Sequence, residues 1–350
     1  DGTIYSSVTD GETLYLGGGF TSISESTGKA VEYNALTEER NATFPKIEDG
    51  TVHASVPDGD GGWYIGGSFD TVADETRNNL VHITSNGDVD PNFNPDINGT
   101  VRALALSSDG SVLYVGGEFT VVNEDISRNY LAAFATSDGV VVHRDTFNPN
   151  LDGSVYALAL ASNEAVLYAG GSFGEVNGGD VTRNYLAAFS TTNGIATAFN
   201  PDVDGIVFTL AYSTIDGVVY AGGTFQGVND GDEERVGLAA FDVTTGAVTA
   251  FNPDPNNFVY TSALSSDGST LYVGGSFATI GGQARVQFAA LDTATGLATS
   301  LDAGIPIGDD LTVYAVALSD DESTVYIGGD SALNGIGGQS RQYFGAISTE

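Results

Sequence analysis

Carboxylates that alternate with glycine are the residues of this sequence whose types and spacing could bind a metal ion. The clearest run is Asp-Gly-Asp-Gly at 58–61, and other acidic clusters begin at Asn229 and Asp320. Oxygen ligands of this kind suit calcium, but no run has the loop of about twelve residues that ends in a bidentate Glu. We therefore predict solvated turns, and we retain Asp58 and Asp60 as candidate calcium ligands. No other cofactor is indicated.

The three histidines, His53, His82 and His143, fall in different sequence contexts and lack the spacing of metal ligands. There is no Gly-x-Ser-x-Gly elbow and no glycine-rich phosphate loop followed by a helix. Paired carboxylates could hydrolyse a glycosidic bond, but that chemistry depends on a separation that only a fold defines. We predict a protein that is not an enzyme. The alternative is a hydrolase or lyase that acts on a polysaccharide.

Basic residues are rare and are concentrated at one position of a repeat. The chain has 11 Lys and Arg, and seven of them follow a Gly-Gly pair by 10 to 12 residues. Their recurrence predicts a ring of cations, in which each guanidinium binds a carboxylate or backbone carbonyls of its own or the next unit. An anion-binding ring is the alternative. The seven residues are Lys29, Arg77, Arg128, Arg183, Arg235, Arg285 and Arg341.

The Gly-Gly pairs define the repeat that must position all these residues. Each pair follows Tyr and one aliphatic residue, and the seven pairs recur at intervals of 49 to 54 residues. A fixed period of this length indicates a repeat architecture. Glycine weakens a strand, so its recurrence predicts close approach by another backbone or a bulky side chain, or else a β-bulge. The pairs begin at Gly17, Gly66, Gly116, Gly170, Gly222, Gly274 and Gly328.

Each repeat contains four segments with the composition of β-strands. In the fourth repeat they are 155–160, 166–173, 185–189 and 195–199, bounded by Asn-Gly and similar turns. The first segment of the third repeat, 101–106, is apolar on both faces, which predicts a sheet covered on both sides. Most Tyr and Phe recur at repeat positions, which predicts packing rather than a ligand cage.

We therefore predict an all-β fold: one seven-bladed β-propeller domain over residues 1–350, with four antiparallel strands per blade. The predicted blades are approximately 3–50, 51–99, 100–153, 154–205, 206–257, 258–311 and 312–350. The last one stops where the other repeats begin their fourth strand. We expect it to lack its outermost strand here and the chain to be part of a longer protein, with a Phe-Asn-Pro-like segment completing it.

The motifs Gly-Gly-x-Phe, Arg-Asn-x-Leu-Ala-Ala-Phe and Phe-Asn-Pro, followed by Asp-Gly-x-Val-x-Ala-Leu, resemble the delta-60-repeat β-propellers of bacteria and archaea. The resemblance covers essentially the whole chain and is strongest in repeats three to five. The first repeat departs from it at 29–32, and the sixth has Leu-Asp-Ala at 301–303 in place of Phe-Asn-Pro. The resemblance implies a propeller on a secreted or surface protein and implies no reaction.

The charge of the chain restricts its partners and its environment. With 46 acidic and 11 basic residues the formal net charge is −35, which disfavours nucleic acid and anionic lipid as partners. Molar salt would screen the self-repulsion, so the composition is typical of a halophilic source. No segment has the length and hydrophobicity to span a membrane, and we expect no membrane insertion.

Several features favour a location outside the cell or at its surface. The chain has no Cys and no Met, and Asn41 and Asn98 begin Asn-x-Thr sequences that could accept a glycan. We therefore predict a non-enzymatic structural or recognition module of a surface, filament or virion-associated protein in a salt-adapted organism. Its partner would be a protein or a glycan, and it could assemble into a larger filament or complex.

Overall fold

The computed structural model describes residues 1–23, 25–142, 146–306, 311–330, 336–339 and 341–349. The protein is all-β, as predicted. In the described residues helical structure is confined to two 3₁₀ turns, Asn177–Gly179 and Ile336–Gly338.

Seven antiparallel sheets of three strands follow one another along the chain, and the second strand of each is in the middle. We call the seven sheets with their connections units one to seven. The first strands are Ile4–Asp10, Val52–Pro57, Val101–Leu106, Val155–Leu160, Val207–Ser213, Val259–Leu264 and Val313–Leu318. The second strands are Thr13–Gly18, Trp63–Gly67, Val112–Gly117, Val166–Gly171, Val218–Gly223, Thr270–Gly275 and Thr324–Gly329. The third strands are Ala30–Asn34, Leu80–Ile83, Leu131–Ala135, Leu186–Ser190, Leu238–Asp242, Phe288–Asp292 and Phe344–Ser348.

A short two-stranded ribbon connects the second and third strands in each of units one to six. The ribbons pair Ser22–Ile23 with Glu25–Ser26, Thr71–Val72 with Glu75–Thr76, Val121–Val122 with Ile126–Ser127, Glu175–Val176 with Val181–Thr182, Gly227–Val228 with Glu233–Glu234, and Thr279–Ile280 with Gln283–Ala284.

The predicted fourth strand is reduced to a single β-bridge in units one to six. In unit four only Ala196 pairs with the third strand, at Phe189. Three residues later Phe199 is fully buried and packs against Tyr168, with ring centroids 5.1 Å apart. The chain leaves the sheet edge because this Phe turns inward and the Pro that follows has no amide hydrogen to donate.

The first strands lie in cyclic succession around a cavity of about 300 Å³. Each contacts the first strand of the next unit, and Val313–Leu318 of unit seven contacts Ile4–Asp10 of unit one. A hydrophobic cluster lies between each pair of consecutive sheets. One cluster, for example, combines Tyr64 and Leu80 of unit two with Leu113 and Phe134 of unit three. The core is therefore divided among the interfaces between units.

Both explanations of the Gly-Gly pairs apply, one to each glycine. A Cβ at Gly116 would overlap the Val155 side chain, at the start of the next unit. A Cβ at Gly117 would overlap the carbonyl oxygen of Thr100 in its own unit, where the pairing with the first strand shifts register at a bulge. The first glycine therefore permits close packing of two units, and the second accommodates the bulge.

The sheet was predicted to be covered on both sides from the composition of its first strand, but that strand is itself only partly buried. In Val101–Leu106 the side chains of Val101 and Ala103 are buried, whereas those of Arg102 and Leu104 are partly exposed to the central cavity. Burial on both faces belongs to the second strand, in which every residue after the first is buried in units three to seven. The first strand is apolar because it separates the interfaces between units from the cavity.

Candidate functional site

The bulge at the start of each first strand takes one side chain out of the sheet register, and in six of the seven units that side chain lines the central cavity. In unit three Val101 pairs with Gly117 and Ala103 pairs with Gly116, so Arg102 has no partner in the register. The same shift occurs in all seven units. We call the seven bulged residues the collar. They are Tyr5, His53, Arg102, Tyr156, Phe208, Tyr260 and Tyr314.

Six of the seven collar residues form a continuous series of aromatic contacts. All seven side chains are partly buried, and all except His53 line the cavity. The ring centroids are 5.4 Å apart for His53–Tyr5, 5.4 Å for Tyr5–Tyr314, 5.1 Å for Tyr314–Tyr260, 5.1 Å for Tyr260–Phe208 and 5.6 Å for Phe208–Tyr156. The rings are tilted or edge-on to one another, which is the favoured arrangement of aromatic pairs.

Arg102 provides the one permanent charge in the collar. Its Nη1 lies 3.2 Å from both ring nitrogens of His53, so the guanidinium lies over the imidazole rather than forming one directed hydrogen bond. Its Nε and Nη2 both lie 3.0 Å from Oε1 of Glu118. The collar therefore has an ion pair at one point of an otherwise aromatic circle.

Burial shifts the pKa values of three collar residues, His53, Tyr260 and Tyr314, toward their uncharged forms. Burial, reinforced by the charge of Arg102, lowers the pKa of His53 to about 4. Burial likewise raises the pKa of Tyr260 and Tyr314, and the nearby carboxylate of Asp330 adds to both effects. The collar consequently offers uncharged ring faces and hydroxyl groups to a ligand.

Beyond the collar both polar and apolar side chains line the cavity. Ser7, Ser55 and Ser262 belong to units one, two and six, and Val316 of unit seven lies between units six and one in the cyclic order. Leu104 and Leu158 of units three and four face them, with Leu210 of unit five alongside. The described residues that line this cavity include no Asp or Glu.

The repeated arginines are bound to backbone carbonyls of their own units. Nη1 of Arg183 donates to the Thr182 oxygen at 2.8 Å, and Nη2 donates to the Thr197 oxygen at 2.8 Å. Arg235 and Arg285 make the same pair of bonds, to the preceding residue and to the carbonyl 14 positions later. Each of these three arginines thus ties its ribbon to the segment that follows the third strand.

The other four members of the predicted cation ring differ in burial. Arg77 and Arg128 are buried, and each donates to the carbonyl of the residue before it at 2.8 Å. Arg77 also pairs with Glu75 at 2.8 Å. Lys29 is partly buried and Arg341 is exposed.

The candidate calcium ligand Asp58 is engaged by its own turn and by a histidine. Its Oδ1 accepts the amides of Asp60 and Gly62 at 2.7 and 2.8 Å, and its Oδ2 lies 3.0 Å from Nε2 of His82. Burial opposes ionisation of Asp58, but the hydrogen bonds from His82, Gly62 and Asp60 outweigh it and lower the pKa. Asp60 is exposed. Within the described ranges no group of three or more His, Asp or Glu side chains is arranged to hold a metal ion.

The two Asn-x-Thr asparagines both have structural contacts. Oδ1 of Asn98 accepts the amides of Thr120 and Val121 at 2.9 and 3.0 Å, as Asp152 does for the amides of Gly174 and Glu175 in the next unit. Asn98 therefore caps its ribbon, and its side chain is exposed.

Asn41 is partly buried and donates to Oε1 of Glu32 at 3.2 Å. Of the histidines, His53 belongs to the collar, His82 contacts Asp58, and His143 lies outside the described residues.

Residues 59–93 match a family model described as "Domain of unknown function (DUF5122) beta-propeller". The match shows that this segment is similar to a β-propeller repeat. It includes the second and third strands of unit two, and the other units share their strand order. No curated protein matches the chain. In the part of the chain that the structure describes, no helix is long and apolar enough to cross a membrane.

The collar was not predicted, because the recurring aromatic residues of the repeat look alike in the sequence. Tyr114, Tyr168 and Tyr220, on second strands, are indeed buried. Tyr156 and Tyr260 recur at a different position, directly after the buried β-branched residue that begins each first strand. The position of these tyrosines in the repeat was the available signal for the collar. A bulge opposite the Gly-Gly pair takes the side chain of the bulged residue out of the sheet register.

Proposed function

We propose that the chain is a seven-bladed β-propeller of the delta-60-repeat type that serves as a recognition module. The cyclic contacts of the seven first strands support the blade number, as does the packing of Ile4 against Gly328 between units seven and one. In units one to six, three strands and a bridge correspond to a blade with a rudimentary fourth strand.

The observation that carries the proposed recognition function is the collar. Partly exposed, uncharged aromatic faces beside hydroxyl groups suit a ligand with an apolar face and a polar edge, such as a sugar ring or a protein side chain. The cavity of about 300 Å³ is at the lower end of small-ligand sites. We propose a protein or glycan partner that inserts one group into the collar.

The location and source are also part of the proposal. A formal charge of −35 and the lack of Cys and Met support an extracellular or cell-surface module in a salt-adapted organism, within a surface, filament or virion-associated protein. The competing function, a polysaccharide hydrolase or lyase, is less well supported. A hydrolase of the common type needs two carboxyl groups about 5 to 9.5 Å apart at the scissile bond, and the described lining of the cavity contains none.

Two aromatic residues on one strand provide a matched test. Phe208 belongs to the collar, whereas Tyr212 is partly buried at the other end of Val207–Ser213 and stacks on Tyr168 at 5.8 Å. Wild type, Phe208→Ala and Tyr212→Ala would be screened against a glycan panel and a panel of peptides in molar salt. We expect a ligand whose affinity falls about tenfold or more in Phe208→Ala and stays within about twofold in Tyr212→Ala.

Two outcomes would count against the proposal. Absence of binding across both panels, or equal affinity in wild type and Phe208→Ala, would remove the collar as the recognition site. Release of new reducing ends or unsaturated sugars from a polysaccharide by purified protein would favour the enzyme instead.

A further inference from the structure

An inward-facing Phe closes the space behind the second strand in units one to five. Its ring packs edge-on against a tyrosine of that strand, and the distances between centroids are 5.1 to 5.7 Å. Four of the five phenylalanines are buried; Phe44 of unit one is partly buried. The pairs are Phe44–Tyr15, Phe93–Tyr64, Phe147–Tyr114, Phe199–Tyr168 and Phe251–Tyr220.

Unit six replaces this Phe by smaller apolar groups that occupy the same space. Ala303 and Ile305 are buried in the cluster that contains Tyr272, and Leu301 packs against it. The requirement for an apolar occupant is therefore met in each of the first six units.

In unit seven the corresponding space is a cavity. It has a volume of about 1010 Å³, and Tyr326, the counterpart of the five tyrosines above, lines it. Leu14 and Leu16 of unit one form the opposite wall, and Ala346 and Ile347 of the third strand form its edge. Phe344 of the third strand stacks on Tyr326 with ring centroids 6.0 Å apart, and none of the described residues supplies the edge-on Phe of units one to five. Among the residues that the structure describes, the hydrophobic cluster between units seven and one is the smallest of the seven.

The polar groups around this cavity match those that, in unit four, bind the segment that carries the inward-facing Phe. In unit four the segment bonds to the third strand through Thr197 N and the Ala188 oxygen at 2.8 Å, and its carbonyl binds Arg183. By position in the repeat Ala346 corresponds to Ala188 and Arg341 corresponds to Arg183. Both line the cavity, and Arg341 is exposed where Arg77 and Arg128 are buried.

We propose that the cavity between units seven and one binds an extended peptide segment of the Phe-Asn-Pro type. Its Phe would pack on Tyr326 between the two sheets. Its backbone would pair with the edge of Phe344–Ser348, as in other additions of a strand to an exposed sheet edge. Arg341 would donate to one of its carbonyl oxygens, as Arg183 does in unit four. This site is separate from the collar, and its occupant is a polypeptide.

The chain itself provides the probe. A synthetic peptide with the sequence of residues 194–205, GIATAFNPDVDG, would be titrated into the protein by calorimetry. The peptide and the protein are both acidic, so molar sodium chloride is needed to screen their repulsion. The control peptide carries Ala in place of the Phe. We expect saturable binding of the first peptide, about tenfold weaker binding of the second, and a melting temperature that rises with peptide concentration.

Two protein variants localise the binding. Arg341→Gln alters an exposed residue of the cavity, and Lys29→Gln alters the same repeat position in unit one. Arg341→Gln should weaken peptide binding severalfold, and Lys29→Gln should leave it unchanged. The proposal is overturned if no saturable binding occurs, if both peptides bind equally, or if Arg341→Gln has no effect on affinity.

Discussion

Ile4 occupies the space that a side chain on Gly328 would need: a Cβ there would lie 2.6 Å from Cγ2 of Ile4. These residues belong to the first and seventh units, so the contact joins the two ends of the described chain. The same relationship links Gly116 to Val155 and Gly170 to Val207. A glycine in one unit thus receives a β-branched side chain from the next, all the way around the succession of sheets.

Adding one methyl group at such a glycine should destabilise the protein. In Gly116→Ala the new Cβ would overlap the side chain of Val155, and the two sheets would have to separate. Overpacking of this kind costs about 1–3 kcal/mol. The free energy of unfolding, measured by urea titration, should fall by that amount.

A matched glycine and a compensating substitution test the cause. At Gly174 an added Cβ would have no neighbour closer than 3.7 Å, so Gly174→Ala should be neutral or slightly stabilising. Combining Gly116→Ala with Val155→Ala should recover part of the loss, because the second change removes the overlapping group. If the two destabilising effects simply added, the proposed contact would not be the cause.

The geometry of the repeated arginine predicts that lysine cannot replace it. Arg183 reaches two carbonyl oxygens with two nitrogens, whereas a lysine ammonium can reach only one of them. Arg183→Lys should therefore lower the free energy of unfolding by about 1–3 kcal/mol, since a partly buried carbonyl loses its donor.

Arg102→Lys is the control for that substitution. Its ion pair with Glu118 is about one-third exposed on both sides, so the loss should stay below about 1 kcal/mol. Equal losses in the two variants would show that the carbonyl contacts of Arg183 contribute little.

His53 should make the protein sensitive to mild acid. Because burial lowers its pKa from 6.5 to about 4, the unfolded chain binds a proton in this interval that the folded protein excludes. Stability is therefore full above pH 6.5 and decreases as the pH falls toward 4. The loss by pH 4.5 is roughly 2 kcal/mol.

His53→Tyr, which introduces the residue found at this position in four other units, removes the titrating group. Urea unfolding at pH 7 and pH 4.5 should show a smaller decrease for the variant than for wild type. Burial opposes ionisation of Asp58, but its hydrogen bonds lower its pKa. Carboxylates of this kind also make the free energy of unfolding fall in acid, and they do so in both proteins. Equal decreases would contradict the predicted role of His53.

The sequence predicted what depends on repetition and turn chemistry. The Gly-Gly pairs indicated a close approach, and the strand 155–160 was predicted with the bounds it has in the structure. The predicted strand at 195–199 was reduced to one bridge at Ala196, because burial of Phe199 competes with pairing at the sheet edge. Local composition does not reveal that competition.

The collar depends on a backbone feature that amino-acid composition does not show. Tyr156 and Tyr168 look alike in sequence, yet one faces the cavity and the other is buried between sheets. The difference arises from a bulge, which shifts the register by one residue and reverses the direction of the side chain. The contact between Tyr5 and Tyr314 depends further on how distant units meet.

Salt should stabilise this protein by screening its surface charge. The formal charge of −35 produces self-repulsion in the folded state, and the screening length falls from about 10 Å at 0.1 M salt to about 3 Å at 1 M. The melting temperature should rise by more than about 5 °C between these concentrations of sodium chloride. Most of the increase should occur below 1 M, because the screening length changes little beyond it.

Sucrose is the control that distinguishes charge screening from stabilisation by any cosolute that is excluded from the protein surface. It strengthens burial without screening charge, so it should raise the melting temperature gradually and without saturation at 1 M. At pH 4, where many carboxylates are protonated, the sodium chloride effect should shrink because less charge remains to be screened. Charge screening would not be the cause if the melting temperature were equal at low and high salt. It would also not be the cause if sucrose and sodium chloride raised the melting temperature in the same way at both pH values.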